Sequence, residues 1–237
     1  MTSSAGIHIV LLPGMDGTGE LLADLRGRLL PNRPVTVVAY PINRPLGYEA
    51  LAAFVAERLP AGRFVILGES FSGPIAIEIA ARMPERVAGL VLASTFARRP
   101  VPGLLAHAVP LLNGAWLPRR LMEAVLLGPQ ATPKLKARLA EMTSRIPRDV
   151  MQARARAALG VDVRARLGAV ACPALCLVGR RDRLIGPRCV AELRAGLRDA
   201  RFVDLEAPHM LLETHAEEAA NAIEMFCATL VRGLAGA

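Results

Sequence analysis

Aromatic side chains are scarce, nine in 237 residues with a single tryptophan. The chain is basic, yet so few rings form no stacking platform, which argues against single-stranded nucleic acid as a partner. Long apolar runs are missing as well. Charges or prolines interrupt each one before the roughly 18 residues a membrane span needs. Residues 1–6 carry no Lys or Arg, and the apolar stretch Ile7 to Leu12 is too short for a signal-peptide core, so the expected address is cytoplasmic. The four cysteines, at 172, 176, 189 and 227, have neither the density of a disulfide framework nor the CxxC pairing of a structural zinc site. Cys176, inside an apolar run, reads as a small buried hydrophobe. No metal and no cofactor is expected.

What remains is a folding chain of one-domain length, 53% hydrophobic and 21% charged, with a mean hydropathy of +0.36. Its net charge of +8 is unevenly placed. Between Arg98 and Arg166 stand 13 Lys or Arg against 4 Asp or Glu, while the rest holds 16 against 17. Solvated, arginine-rich helix faces are the ordinary source of such an excess.

Short β-type runs alternate with helical patterns. Strands are expected at 7–12, 35–39, 63–67, 87–93, 174–178 and 201–205. Helices are expected at 17–30, 48–59 and 71–82, with a last one from His215, where Thr214 and Glu217 have capping-box spacing. Strands that are apolar almost throughout and separated by helices indicate an α/β fold with a mostly parallel sheet of about six strands. Residues 96–170 break this rhythm with helix after helix, punctuated by prolines. The expected organisation is a core of 1–95 and 171–237 with a helical cap inserted at 96–170. In open α/β sheets ligands bind beyond the carboxyl ends of the strands, where such an insertion lies over the site.

Gly68-Glu69-Ser70-Phe71-Ser72-Gly73 stands between a strand and a helix. A serine on so tight a turn needs small neighbours two residues away, and Gly68 and Ser72 qualify, though Ser72 occupies a place usually held by glycine. On its own this is also a serine starting an ordinary helix. A serine nucleophile needs a base oriented by a carboxylate. Asp182 ends the fifth strand within Gly179-Arg180-Arg181-Asp182, and His209 follows the sixth within Ala207-Pro208-His209-Met210. The other histidines, His8, His107 and His215, lie in a strand, in the insertion and at a helix start. The order Ser, Asp, His fits a catalytic triad on an α/β sheet. The glycines at 14, 17 and 19 do not follow the dinucleotide pattern, and Glu20 stands where a phosphate loop needs lysine.

With Leu12-Pro13-Gly14-Met15-Asp16-Gly17-Thr18-Gly19 added, these motifs resemble the α/β-hydrolase superfamily over nearly the whole chain. The resemblance implies oxyanion-hole donors at the backbone N–H groups of Met15 and Phe71. It also implies acyl transfer through a covalent serine ester, with Ser70 as nucleophile, His209 as base and Asp182 as its orienting acid. Pro13 departs from the histidine common in the family. Ser70 argues against the halide and epoxide chemistry of members with an aspartate nucleophile.

The expected activity is therefore hydrolysis of carboxylic esters or thioesters of apolar acyl groups. Leu104, Leu105, Leu111, Leu112, Trp116, Met122, Leu126 and Met142 offer apolar surface for an acyl chain, or simply the packing between cap and sheet. The family includes a methyl esterase whose helical cap receives an acidic acyl carrier protein, which suggests a similar partner for Arg119, Arg120, Arg154 and Arg156. The loop and elbow also look like those of plastid acyltransferase-like esterases that use an alcohol acceptor. A ligand-binding receptor on the same fold is the non-enzymatic alternative.

Overall fold

Strand segments without a polar face need cover on both sides, and the fold provides it. A computed structural model of the chain describes residues 6–100, 119–129 and 131–235. Among these residues β1 (His8–Leu12), β2 (Val35–Val37), β3 (Phe64–Glu69), β4 (Val87–Ala93), β5 (Ala174–Gly179) and β6 (Ala200–Leu205) form one sheet in the order β2-β1-β3-β4-β5-β6. Every pairing is parallel. Helices α1 (Ala23–Leu29), α2 (Tyr48–Ala56) and α3 (Gly73–Arg82) connect the first four strands. Between β4 and β5 lie α4 (Arg119–Leu126), α5 (Pro133–Arg145), α6 (Arg148–Gly160) and α7 (Arg164–Leu167). Then come α8 (Pro187–Gly196), the short α9 (Leu211–Thr214) and α10 (Ala216–Ala235).

Alternation along each strand divides the core into two layers. Val10, Leu12, Ile66, Leu90, Leu92 and Cys176 face one way and pack with residues of α2, α3 and α8. Ile9, Leu11, Val65, Leu67, Val91 and Leu177 face the other and pack with α1, α9 and α10. Phe96, Ala97, Leu167 and Val170, from the two ends of the inserted stretch, join the first layer.

Two local expectations give way. The helix expected from residue 17 begins only at Ala23, because Gly17 and Gly19 take φ of +71° and +73°, which no right-handed helix contains. Leu22, Leu25 and Leu29 still share the sheet-facing side, whereas Leu21 turns toward Leu127, Leu139 and Met142 of the insertion. At the C-terminal end Thr214 closes α9 by donating its hydroxyl to the Met210 carbonyl (2.7 Å), and Glu217 pairs with Arg28 of α1 (3.3 Å). That arrangement replaces the expected capping box. No helix among the described residues is long and apolar enough to cross a membrane.

The face that α10 buries is open to test. Ile223 is fully buried under the sheet and Met225 is 58% exposed. Ile223→Ala should cost about 2–5 kcal/mol in urea unfolding, and Met225→Ala no more than about 0.5 kcal/mol.

Candidate active site

Parallel pairing brings the carboxyl ends of β1, β3, β5 and the loop after β6 to one edge of the sheet, and the sheet order reverses beside β1 and β3. Ser70 leaves β3 there with φ at +47°, a left-handed conformation that costs a non-glycine residue energy and lifts the side chain out of the turn. The turn closes tightly. A Cβ on Gly68 would sit 2.7 Å from the Ser72 carbonyl, and one on Gly73 would collide with the Thr95 side chain.

Ser70 Oγ lies 2.8 Å from His209 Nε2, and His209 Nδ1 lies 2.9 Å from Asp182 Oδ2. His209 is 4% exposed. The other oxygen of Asp182 accepts the backbone N–H groups of Leu184 (2.8 Å) and Ile185 (2.9 Å). Burial pushes the Asp182 carboxyl upward, but the adjacent His209 ring and those N–H groups outweigh it and hold Asp182 below its usual range. The three residues singled out from separate loops thus form one continuous hydrogen-bonded chain. His8 and His215 are spent locally, on Thr36 and Thr214 (2.9 Å each). His107 lies outside the described residues.

Met15 stands in the loop after β1 and Phe71 in the elbow directly after Ser70. A peptide plane fixes an N–H opposite the preceding carbonyl, so anchoring that carbonyl aims the donor. For Phe71 the preceding carbonyl, that of Ser70, accepts the Thr95 hydroxyl. For Met15 it is that of Gly14, which accepts the Gly17 N–H (3.1 Å). Ser72, the departure from the usual glycine, also has a use. Its hydroxyl donates to the Pro13 carbonyl and therefore accepts from Tyr40 Oη (2.5 Å), tying the elbow to the β1 loop. Asp16 braces the same loop by accepting both the N–H (2.9 Å) and the hydroxyl (2.6 Å) of Thr18.

Arg154 does not face solvent as expected for a partner-binding residue. It is 1% exposed, with its guanidinium turned inward onto the carbonyls of Met15, Asp16 and Pro41. Arg120 and Arg156 are exposed, and Arg119 begins α4. Of the apolar candidates, Met142 is buried with Leu21, Leu127, Leu139 and Met210, and Leu126 packs against them, so both serve the seam between insertion and core. Leu104, Leu105, Leu111, Leu112 and Trp116 lie outside the described residues. Glu20, which argued against a phosphate loop, meets Arg145 of α5 (3.0 Å). All four cysteines are free and buried. Burial pushes the Cys176 thiol up to about 12.

Sequence reasoning missed a buried carboxyl pair behind the serine. Glu69 is 5% exposed, hydrogen-bonded to Glu213, and its carboxyl lies next to Gly14. Burial first, then each other's charge and that of Asp16, raise Glu69 well above the ordinary range. Glu213, raised chiefly by burial, comes to about 7. Its Oε2 is buried with no hydrogen-bond partner among the described residues. A cavity of about 920 Å³ opens beside Asp182 and Pro208, and Arg120, Lys136, Arg180, Arg181 and Arg183 line it.

The profile of the alpha/beta hydrolase family matches residues 3–222. The chain belongs to that family. Among its relatives, a pimeloyl-acyl-carrier-protein methyl ester esterase from Neisseria meningitidis serogroup C is 29% identical over 230 residues, covering 88% of this chain and 89% of the relative. The enol-lactonase from Burkholderia xenovorans LB400 superposes with a TM-score of 0.78 at 18% identity, covering 96% of this chain and 94% of the lactonase. An esterase from Exiguobacterium antarcticum reaches 0.80 at 14% identity, covering 95% and 93%. These structural likenesses bear on the fold. They agree with the parallel six-stranded sheet expected from the sequence.

The carboxyl pair sets the sign of one pH effect in this α/β hydrolase. A carboxyl whose pKa is higher folded than unfolded binds a proton on folding, so stability falls as pH rises from about 4.5 to about 7. Thermal melts should show that loss between pH 5 and 8, and Glu213→Gln should flatten it. An unchanged slope in the variant would remove the pair as its cause.

Proposed function

We propose that the chain is a serine carboxylic ester hydrolase that cleaves esters or thioesters of apolar acyl groups through an acyl-serine intermediate. The observation that carries this reading is the unbroken chain from Ser70 Oγ through His209 to Asp182 at the carboxyl edge of the sheet. His209 takes the Ser70 proton as the oxygen attacks the carbonyl carbon, and Asp182 stabilises the imidazolium. The N–H groups of Met15 and Phe71 hold the oxyanion; losing one such donor typically costs about 100- to 1000-fold. His209 then protonates the leaving alcohol or thiol and activates water for deacylation.

The partner in this reading is an acidic acyl carrier protein delivering its acyl group to the basic insertion, in the cytoplasm. Support comes from the name of the Neisseria relative and from the exposed positive charge around Arg120 and Arg156. The cation-lined cavity beside Asp182 has the charge to accept an anionic carrier close to the site.

Hydrolysis of p-nitrophenyl esters from acetate to decanoate tests the chemistry. Ser70→Ala should lose turnover by on the order of 10⁴-fold or more. An acyl burst that never turns over without an added alcohol would instead favour acyl transfer. Charge reversal at Arg120 and Arg156 should raise KM for a carrier-bound methyl ester several-fold at low salt and leave small esters unaffected. Equal losses on both substrates would sink the carrier assignment.

A further inference from the structure

Arg154 is among the largest fully buried side chains in the protein, and it is a cation. Burying a charge is costly unless every donor finds an acceptor in good geometry. Its acceptors are three main-chain carbonyls from two different loops. Nη1 donates to Met15 (2.9 Å) and Asp16 (2.7 Å), and Nη2 donates to Pro41 (3.0 Å). The guanidinium carbon stands 5.8 Å from the centre of the Tyr40 ring. The loop is shaped to receive it, since a Cβ on Gly17 would come within 2.6 Å of Nη1. Burial lowers the pKa of the group, and the nearby Asp16 carboxylate favours its charge. A guanidinium is the one side chain with enough fixed donors to hold several carbonyls at once.

The contacts bear on Met15 from both sides. The carbonyl preceding its N–H is held by Gly17 from within the loop. The Asp16 carbonyl shares its peptide plane with that Gly17 N–H, and α6 of the insertion holds it, together with the Met15 carbonyl, through Arg154. Releasing the Asp16 carbonyl frees the Gly17 N–H, with it the Gly14 carbonyl, and so the direction of the Met15 N–H, which lies in the Gly14 peptide plane.

We propose that Arg154 is a positioning residue for the oxyanion hole, through which inserted helix α6 sets the direction of the Met15 N–H. The donor is then aimed correctly only while α6 is seated on the β1 loop. Docking of a partner on the insertion is thereby linked to catalysis without contact to the reacting atoms. This rests on the ester-hydrolase reading above.

The test compares Arg154→Lys and Arg154→Ala with the unaltered enzyme on p-nitrophenyl butyrate, with Ser70→Ala alongside. A misplaced donor should lower kcat by about 10- to 100-fold while KM stays within about twofold. Millimolar guanidinium should restore part of the loss in Arg154→Ala and none in Ser70→Ala. Lysine, a point charge without the fork, should rescue poorly. An Arg154 variant that stays folded with unchanged kcat overturns the proposal. So does a fall in kcat that tracks only a lower melting temperature and ignores guanidinium. If Arg154→Ala does not fold, the lysine variant decides. Methyl-labelled methionine NMR reads the loop without any turnover. The Met15 resonance should shift or broaden in Arg154→Lys, and an unperturbed signal counts against the proposal. Should the unaltered enzyme prove inert toward esters, the hydrolase reading fails while this resonance still reports on Arg154.

Discussion

The left-handed backbone at Ser70 is the constraint around which the rest of the site is arranged. A residue with a Cβ is held there at a cost, so the surroundings must over-determine the conformation. They do so with contacts that each serve a second purpose. The absent Cβ of Gly68 lets the turn close, and the Thr95 hydroxyl that fixes the Ser70 carbonyl also fixes the peptide plane of Phe71. Ser72 carries the elbow across to Pro13, and Tyr40 completes that link. The strained turn and the loop after β1 are therefore one hydrogen-bonded unit.

The basic middle of the chain looked uniform as a sequence and is divided in the structure. Arg138 and Arg145 hold Glu20 through its carbonyl and its carboxylate, and Arg154 holds the carbonyls of the β1 and β2 loops. Those cations join the insertion to the core. Arg120 and Arg156 face outward, where charge acts on partners through the field rather than through packing. Counting arginines cannot separate the two groups, because the separation depends on which face of α5 or α6 meets the core.

What was legible in the sequence followed period and local chemistry. The central strands were visible because buried parallel strands are apolar nearly throughout, and β4 at Val87–Ala93 agrees residue for residue. Ser70, Asp182 and His209 were visible because each follows a strand end in the order such a sheet requires. The start of α1, the fate of Thr214, the inward turn of Arg154 and the Glu69–Glu213 pair were not. Arg154 and the carboxyl pair are decided by partners far away in sequence and the start of α1 by positive φ, while Thr214 caps back onto Met210 four residues earlier instead of forward onto the next helix. Glu69 sat inside the recognised motif, but its partner stands 144 positions later.

Within this one site, environment assigns opposite states to chemically similar carboxyls. The Asp182 side chain is nearly buried too, yet it accepts two backbone N–H groups and faces the His209 ring, so its charge is favoured. Glu69 and Glu213 have mainly each other and Asp16 for company, so burial and that neighbouring charge raise both and favour their neutral forms. Negative charge directly behind Ser70 would oppose an anion developing beside its Oγ. Raising the pair lessens that negative charge and leaves a contact that joins β3 to α9, which begins two residues after His209. The loop that carries His209 is thus anchored to the strand that leads into Ser70 by a contact between two carboxyls that burial biases toward their neutral forms.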